Sequence, residues 1–307
     1  MVADRSERLT VVVNPVSGRE DHVDTVVELA ADHGADVRVT EGPGDARRIT
    51  REVAVDADVV VAAGGDGTVN EVVNGLVDAD ALASTILAVV PVGTGNNFAA
   101  NVSVEGIEGA FGVIENGRRR DLDLGLANDR AFVNSCVGGL TAEASSATTS
   151  EQKRELGVLA YVRNTLERVS SFDPLPLRVE TAAGQENGPT SWEGDATFVF
   201  VGNARRFAGT GSAQANVEDG CFEVIVVGEL PTPTLVGRSA LDRLFDRETD
   251  HIVRRRTPSL SIESRRLPVE YSLDGEMLET ERLSLSLSPT PLTVAVGDGY
   301  QVDPDGR

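Results

Sequence analysis

Lysine is almost absent from this chain: Lys153 stands alone among 28 lysines and arginines. Cysteine is limited to Cys136 and Cys221, far apart and outside any metal-ligand spacing, which argues against a disulfide framework and a structural zinc site. Aromatic residues make up only 4% of the sequence. No stretch approaches the ~20 continuous apolar residues of a membrane helix, so no transmembrane segment is expected. Residues 1–8 carry both signs of charge and run straight into a strand-like segment, which does not read as a secretory signal. These absences lead to the expectation of a soluble, cytoplasmic protein.

The charge that is present is mostly negative. Asp plus Glu number 49 and the net charge is −21. Such a surface repels nucleic acid, whose binding rests on phosphate neutralisation, so no nucleic-acid partner is expected. Scarce Lys, abundant Asp and few aromatics together suit a halophilic, haloarchaeal setting, where molar salt screens self-repulsion within ~3 Å. Forty per cent of the 307 residues are apolar, enough for a buried core, and the length suggests two domains.

Up to about residue 125, strand and helix signals alternate, the pattern of a parallel sheet covered by helices. Strands are predicted at 9–14, 36–40, 58–63 and 85–90, and helices at 21–33 and 44–55. A third helix follows the third strand: Val69, Val72, Val73, Leu76 and Val77 recur on one face. Beyond residue 121 short β-rich runs take over, at 178–181, 197–201 and 222–227. Strict alternation at 259–264 and 283–288 marks half-buried antiparallel strands. Helices are expected at 151–171 and 234–245, and a flexible loop at 183–193. The fold class is thus an α/β amino-terminal domain followed by a β-rich domain.

The strongest chemical signal is Gly64-Gly65-Asp66-Gly67-Thr68, followed by Asn70-Glu71, where a buried strand meets a helix. Ligands of open α/β sheets sit at such strand ends. Glycines let the backbone approach a phosphate, and the helix amino terminus offers unpaired N–H groups. Thr68 and Glu71 also fit a capping box. Two weaker turns follow other strands: Asn14-Pro15-Val16-Ser17-Gly18, and Pro91-Val92-Gly93-Thr94-Gly95-Asn96-Asn97. Three such turns on one side of a sheet would build a nucleotide cradle. A Walker P-loop is excluded because these turns contain no lysine, and no dinucleotide fingerprint opens a helix.

Taken in order, these motifs resemble the diacylglycerol-kinase-type lipid kinases, a branch of the NAD-kinase-like superfamily. The resemblance extends to Thr40 with Gly44-Asp45-Ala46, to Asp121-Leu122-Asp123-Leu124-Gly125, and to Lys153 with Gly157, Ala160 and Tyr161. It ends in Asp219-Gly220 and Asp274-Gly275-Glu276. The Gly-Gly-Asp-Gly core alone is shared with NAD kinases and phosphofructokinases, whereas the ordered set is more specific. The resemblance implies an amino-terminal fold like those enzymes and a sandwich-like β domain. The divisions expected are 1–125 for ATP and 126–294 for the lipid acceptor, with chemistry between them and 295–307, or the strand near 292–296, returning to the first.

The resemblance further implies ATP and Mg2+ as cofactors and phosphoryl transfer to a lipid hydroxyl, such as that of diacylglycerol or an isoprenoid lipid. ATP would be held by Asn14, Pro15, Ser17, Gly18, Thr40, Gly64, Gly65, Asp66, Gly67, Thr68, Asn70, Glu71, Gly93 and Thr94. Asp274 matches the family's proposed base, while Glu276, Asp66 and Asp123 match an acidic set organising magnesium. A structural magnesium would use the carbonyls of Asn216 and Cys221 and the carboxylate of Asp219. The partners expected are a lipid at the inner membrane surface, bound peripherally, and a second copy in a homodimer.

Three departures from the family pattern stand out. Asn96-Asn97 replaces Asn-Asp, removing one acid from the metal network. The loop 209–220 is short and lacks the usual proline, which counts against the structural magnesium. Arg19 stands where a lysine or small residue is usual. An NAD kinase and a silent nucleotide-binding protein are the alternative readings. From residues alone, Asp274-Gly275 is also a good hairpin turn. His22, His33 and His251 are expected at the surface, Asn101-Val102-Ser103 is taken as a chance sequon, and Arg254-Arg255-Arg256 as a solvated strand edge.

Overall fold

Valine-rich runs with no polar alternation can be satisfied only where both faces of a sheet are covered. Such runs form the centre of the first unit in this computed structural model, which describes residues 7–18, 22–139, 174–183, 190–205, 214–228 and 252–304. Strands β1 (Leu9–Val13) and β3 (Val59–Gly64) are buried at every position, and β4 (Ile86–Pro91) at its four central ones. With β2 (Asp36–Val39), β5 (Arg118–Leu122) and β17 (Leu292–Val296) they make a six-stranded sheet in the order β2-β1-β3-β4-β17-β5. All its pairings are parallel except that of β17 with β5.

From β1 the chain steps outward to β2, then returns past β1 to β3 and β4. The order therefore reverses between β1 and β3, the switch point at whose carboxyl edge open α/β sheets bind ligands. Five helices accompany the sheet among the described residues: α1 (Val23–Asp32), α2 (Asp45–Val53), α3 (Asp66–Asp78), α4 (Asn97–Asn101) and α5 (Ile107–Asn116). The predicted apolar face of α3 buries Val69, Val72, Val73 and Leu76. Helix α2 crosses α3 closely at Gly75, where a side chain would strike the Arg47 carbonyl and Thr50. The pair is clamped at the surface by Arg47 and Asp78, 2.7 Å apart.

The second unit is antiparallel. Its described strands are β6 (Gly125–Ala127), β7 (Arg130–Phe132), β8 (Ser135–Gly138), β9 (Leu175–Thr181), β10 (Thr190–Gly202), β11 (Phe222–Gly228), β12 (Ile252–Thr257), β13 (Ser259–Ser264), β14 (Val269–Leu273), β15 (Glu276–Thr280) and β16 (Arg282–Leu287). Strand β10 pairs with β9 through its first half, then breaks register between Ala196 and Phe198 and pairs with β8 along its second. A bulged strand shared in this way turns the corner of a sandwich-like fold. Alternation fixes the inner faces: Leu260 and Ile262 of β13 and Leu283 and Leu285 of β16 are buried.

By internal packing the chain divides into Met1–Leu124 with Pro289–Gln301, and Gly125–Ser288 with Val302–Arg307. Strand β17 begins at Leu292, inside the range expected for the second domain, and lies in the first sheet. Residues 190–193, expected to belong to a flexible loop, open β10. Helix α5 has no counterpart among the predicted elements. The expected helices at 151–171 and 234–245, with Lys153, Gly157, Ala160 and Tyr161, lie outside the described residues, as do Arg19 and His251.

Candidate active site

The turns that follow β1, β2, β3 and β4 are tied to one another by side chains. Asn14 carries the first tie. Its backbone N–H donates to the Ala63 carbonyl at 2.9 Å, and its Nδ2 to the Thr68 hydroxyl at 3.0 Å. Its Oδ1 accepts from the Val16 N–H at 3.1 Å, shaping the turn through Pro15 to Ser17. Gly18, at φ +60°, presses against the Val92 carbonyl, leaving no room for a Cβ. Gly65 and Gly93 likewise bring the second and third turns into backbone contact. Gly64 makes room for the Thr68 side chain. Thr40, after β2, is buried, and its N–H donates to the Val13 carbonyl at 2.9 Å.

Two carboxylates complete the framework, neither as expected. The predicted capping box of Thr68 and Glu71 is not formed. Gly65 is the N-cap of α3 and has no side-chain cap bond. Glu71 instead accepts from the N–H groups of Gly44 at 2.8 Å and Ala46 at 3.0 Å, capping α2, whose own N-cap Gly44 has no side chain to offer. Asp66 caps α4: its Oδ2 accepts from the Asn97 N–H at 3.0 Å and Nδ2 at 3.1 Å, and its Oδ1 from the Phe98 N–H at 2.9 Å. Asn70 lies on the buried face of α3, bonded to Asn74 at 3.1 Å, rather than at the mouth of the turns. Thr94 is exposed in the third turn.

The first turn of α3 is left open. The N–H groups of Asp66, Gly67 and Thr68 head the helix and have no hydrogen-bond partner among the described residues, as befits an uncapped amino terminus. A Cβ placed on Gly67 would meet nothing within 4 Å. Gly67 is therefore not required by packing; its bareness keeps a space clear in front of three donors and the positive end of the α3 dipole. Those residues suit the phosphate chain of a nucleotide. No cluster of three or more metal-ligating side chains occurs among the described residues, and both carboxylate oxygens of Asp66 accept hydrogen bonds from the start of α4. Asp123 lies between β5 and β6 and is also engaged. The acidic residues thus do not compose a protein-only magnesium cage.

In the second unit, β14 and β15 form the hairpin expected around Asp274-Gly275, with Leu273 paired to Glu276. Both turn residues have positive φ, +52° and +108°, as a type I′ turn requires. The Asp274 carboxylate faces back onto the chain: Oδ2 accepts from the Val133 N–H at 2.6 Å, and Oδ1 from Asn134 and Ser135, both at 2.8 Å. The Asp274 N–H returns a bond to the Ser135 carbonyl at 3.0 Å. This nest of three donors was missed in the sequence. Burial, reinforced by the nearby Asp274 charge, pushes the Cys136 thiol well above its ordinary pKa.

The proposed structural magnesium ligands meet a different cation. Asp219 forms an ion pair with Arg256 of β12, and its Oδ1 accepts from the Cys221 N–H at 2.9 Å. The Asn216 side chain accepts from the Glu218 N–H at 3.0 Å. The residues present do not fit the magnesium site, because a guanidinium already neutralises its carboxylate. Arg256 is thus more than a solvated edge residue. His22 also departs from expectation: it is buried, with Nε2 3.1 Å from the Asn14 carbonyl. His33 is half-buried beside Phe111, ring centroids 5.1 Å apart.

The glycine-rich turns stand at the switch point where open α/β sheets bind their ligands, and comparison with known proteins places the chain in a family. The diacylglycerol kinase catalytic domain matches residues 8–127, and the YegS C-terminal NAD kinase beta sandwich-like domain matches residues 134–296. A probable lipid kinase YegS-like of Pseudomonas aeruginosa is 34% identical over 312 residues, covering 96% of each chain. A diacylglycerol kinase of Staphylococcus aureus is 33% identical over 230 residues, covering 72% of this chain and 70% of that one. A putative diacylglycerol kinase from Bacillus anthracis has a similar structure, with a TM-score of 0.79, 26% identity, and coverage of 96% and 97%. An NAD kinase from Archaeoglobus fulgidus, solved in complex with ATP, shares the fold at a TM-score of 0.52 and 12% identity, over 94% of each chain. The chain belongs to the diacylglycerol kinase and YegS-like lipid kinase family, and is a kinase.

Proposed function

We propose that this enzyme transfers the γ-phosphoryl group of ATP to the hydroxyl of a membrane-derived lipid, with diacylglycerol or an isoprenoid ether lipid as the acceptor. The observation that carries the reading is the open space at Gly67 in front of the unpartnered N–H groups of Asp66, Gly67 and Thr68. Phosphoryl transfer is chiefly positioning and charge neutralisation, so backbone donors and a helix dipole suffice to hold the donor phosphates. Asn14 and Asp66 do not touch the phosphates in this reading; they lock the turns so that the donors are fixed before the nucleotide arrives. Bound together with the nucleotide, magnesium would supply charge neutralisation at the phosphates.

The Asp274-Gly275-Glu276 hairpin supplies the carboxylate that takes the acceptor proton. Sequence similarity to proteins named lipid kinase and diacylglycerol kinase along most of the chain supports a lipid acceptor over a soluble nucleotide. No helix among the described residues is long and apolar enough to cross a membrane, so the lipid would be met at the bilayer surface. The test is incubation with γ-labelled ATP and total lipid extract in molar KCl, with NAD in a parallel tube. Label is expected in the organic phase; label only in the NAD pool would replace this reading with an NAD kinase.

A further inference from the structure

Four strand pairings carry one row of side chains across the second unit: Leu273 to Cys136, Cys136 to Val201, Val201 to Val224, and Val224 to Arg255. Directly paired residues of antiparallel strands face the same side of the sheet. The first four are buried in the core, so the fifth sets a guanidinium on the apolar face. The neighbouring row runs from Val199 through Val226 to Val253, which is half-buried like Arg255. Among the described residues β12 pairs only with β11, so both rows end at this strand.

Val179 and Thr181 of β9 and Trp192 of β10 close the other side of a recess lined by Val226, Val253 and Arg255. Val179 and Val226 belong to one buried cluster, against which Trp192 and Val253 pack. The indole lies over Gly194, where a Cβ would come within 3.1 Å of the ring. The Thr181 and Thr190 hydroxyls are 2.8 Å apart at the same place. The chain has 49 acidic residues, yet none lines this recess, and the charged group in its wall is Arg255. One Arg255 N–H donates to the Arg254 carbonyl, and a guanidinium carries five.

We propose that this recess binds a single-chain anionic amphiphile, with the chain against Trp192 and the valines and the anionic head on Arg255. Apolar walls reward burial of hydrocarbon, and a guanidinium fork matches a carboxylate or phosphate. Packed layers stand about 10 Å apart and are mostly filled by their own side chains, which leaves the width of one chain. The phosphate monoester of a lipid alcohol, the product class of the reaction proposed above, has both parts. Binding belongs to the second unit by itself and is tested without that reaction.

Trp192 is the sole tryptophan of the sequence, so its emission reports on the recess. Decyl phosphate, kept below its micelle concentration in molar KCl, should shift that emission to shorter wavelength in a saturable titration. Inorganic phosphate and decanol, the head and the chain offered separately, should each bind at least about 10-fold more weakly. Arg255→Gln should weaken decyl phosphate by roughly 10- to 100-fold, the worth of a hydrogen bond between charged groups, and leave the decanol response in place. Val253→Phe, which fills the recess and changes no charge, should abolish the response to both.

Melting curves establish that each variant is folded. If Arg255→Gln does not fold, the three ligands and Val253→Phe decide the matter. An unchanged emission with decyl phosphate would overturn the proposal, as would decanol binding equally well. So would a folded Arg255→Gln that binds decyl phosphate as tightly as the unsubstituted protein, or an undiminished response in Val253→Phe.

Discussion

Asn97 donates its side-chain N–H to Asp66 at 3.1 Å, and its backbone N–H to the same carboxylate oxygen at 3.0 Å. The turn after β3 is thereby bolted to the start of α4 without a cation. An acid at position 97 would face Asp66 across the same gap. Asn97→Asp should therefore lose a hydrogen bond and gain a like-charge contact, a cost of about 1–2 kcal/mol. Its melting temperature in EDTA should fall by several degrees, and millimolar Mg2+ should restore much of the loss. Equal melting with and without Mg2+ would show that the pair does not govern metal demand here.

Gly67 offers the cleanest separation of fold from ligand. Because a Cβ there meets nothing within 4 Å, Gly67→Val should fold with a melting temperature within a few degrees of the unsubstituted protein. Calorimetric titration with ATP should then show affinity reduced by about 100-fold or more, since the branched side chain fills the approach to the N–H groups. Gly65→Val, where the turn after β4 presses in, should instead damage folding itself.

The Arg47–Asp78 clamp gives a pH signature. The Arg47 guanidinium, as hydrogen-bond donor first, holds the Asp78 carboxyl below its ordinary value of 3.8. The folded-state value is thus lower than the unfolded one, so the contribution is full above the unfolded value. It is lost as pH falls through the folded-state value, in the window below about pH 4. With the arginine side chain 41% and the aspartate 28% exposed, the pair adds no more than about 1 kcal/mol. Asp78→Asn should lower the melting temperature slightly at pH 7, and the difference from the unsubstituted protein should shrink as pH falls below about 4.

Arg256 should make the 216–221 loop indifferent to divalent cations. EDTA is expected to leave the melting temperature of the unsubstituted protein unchanged. In Arg256→Gln, Asp219 loses its guanidinium, and the melting temperature should fall and then rise again with added Mg2+ or Ca2+. A drop on chelation in the unsubstituted protein would mean that a metal shares this loop with Arg256.

The α/β unit was legible because its signals are local. Val11, Val12 and Val13, then Val59, Val60 and Val61, announce central strands without help from the rest of the chain. Helix α5 was not, because Gly109 and Gly112 interrupt its pattern; nor was the start of β10, where Ser191, Glu193 and Asp195 keep one face polar. The turns that build the site were legible as glycine clusters. Their ties were not, since Glu71 reaches back 25 and 27 residues to Ala46 and Gly44, and Asp274 reaches 139 to 141 residues to its three donors. A capping box was a reasonable local expectation for Thr68 and Glu71, but the competing cap at α2 won because Gly44 leaves that helix end uncovered.

The central claim, that the turns at the β1–β3 switch point present ATP to a lipid hydroxyl, is tested most directly by counting both products of one reaction. Vesicles carrying diacylglycerol, or the corresponding isoprenoid ether alcohol, would be incubated with the protein and γ-labelled ATP in molar KCl. ADP and organic-soluble label would then be measured in the same tube. One labelled lipid per ADP is expected, and neither product should form with Gly67→Val. ADP released with no label in lipid, or label appearing at full rate in the Gly67→Val reaction, would contradict the account.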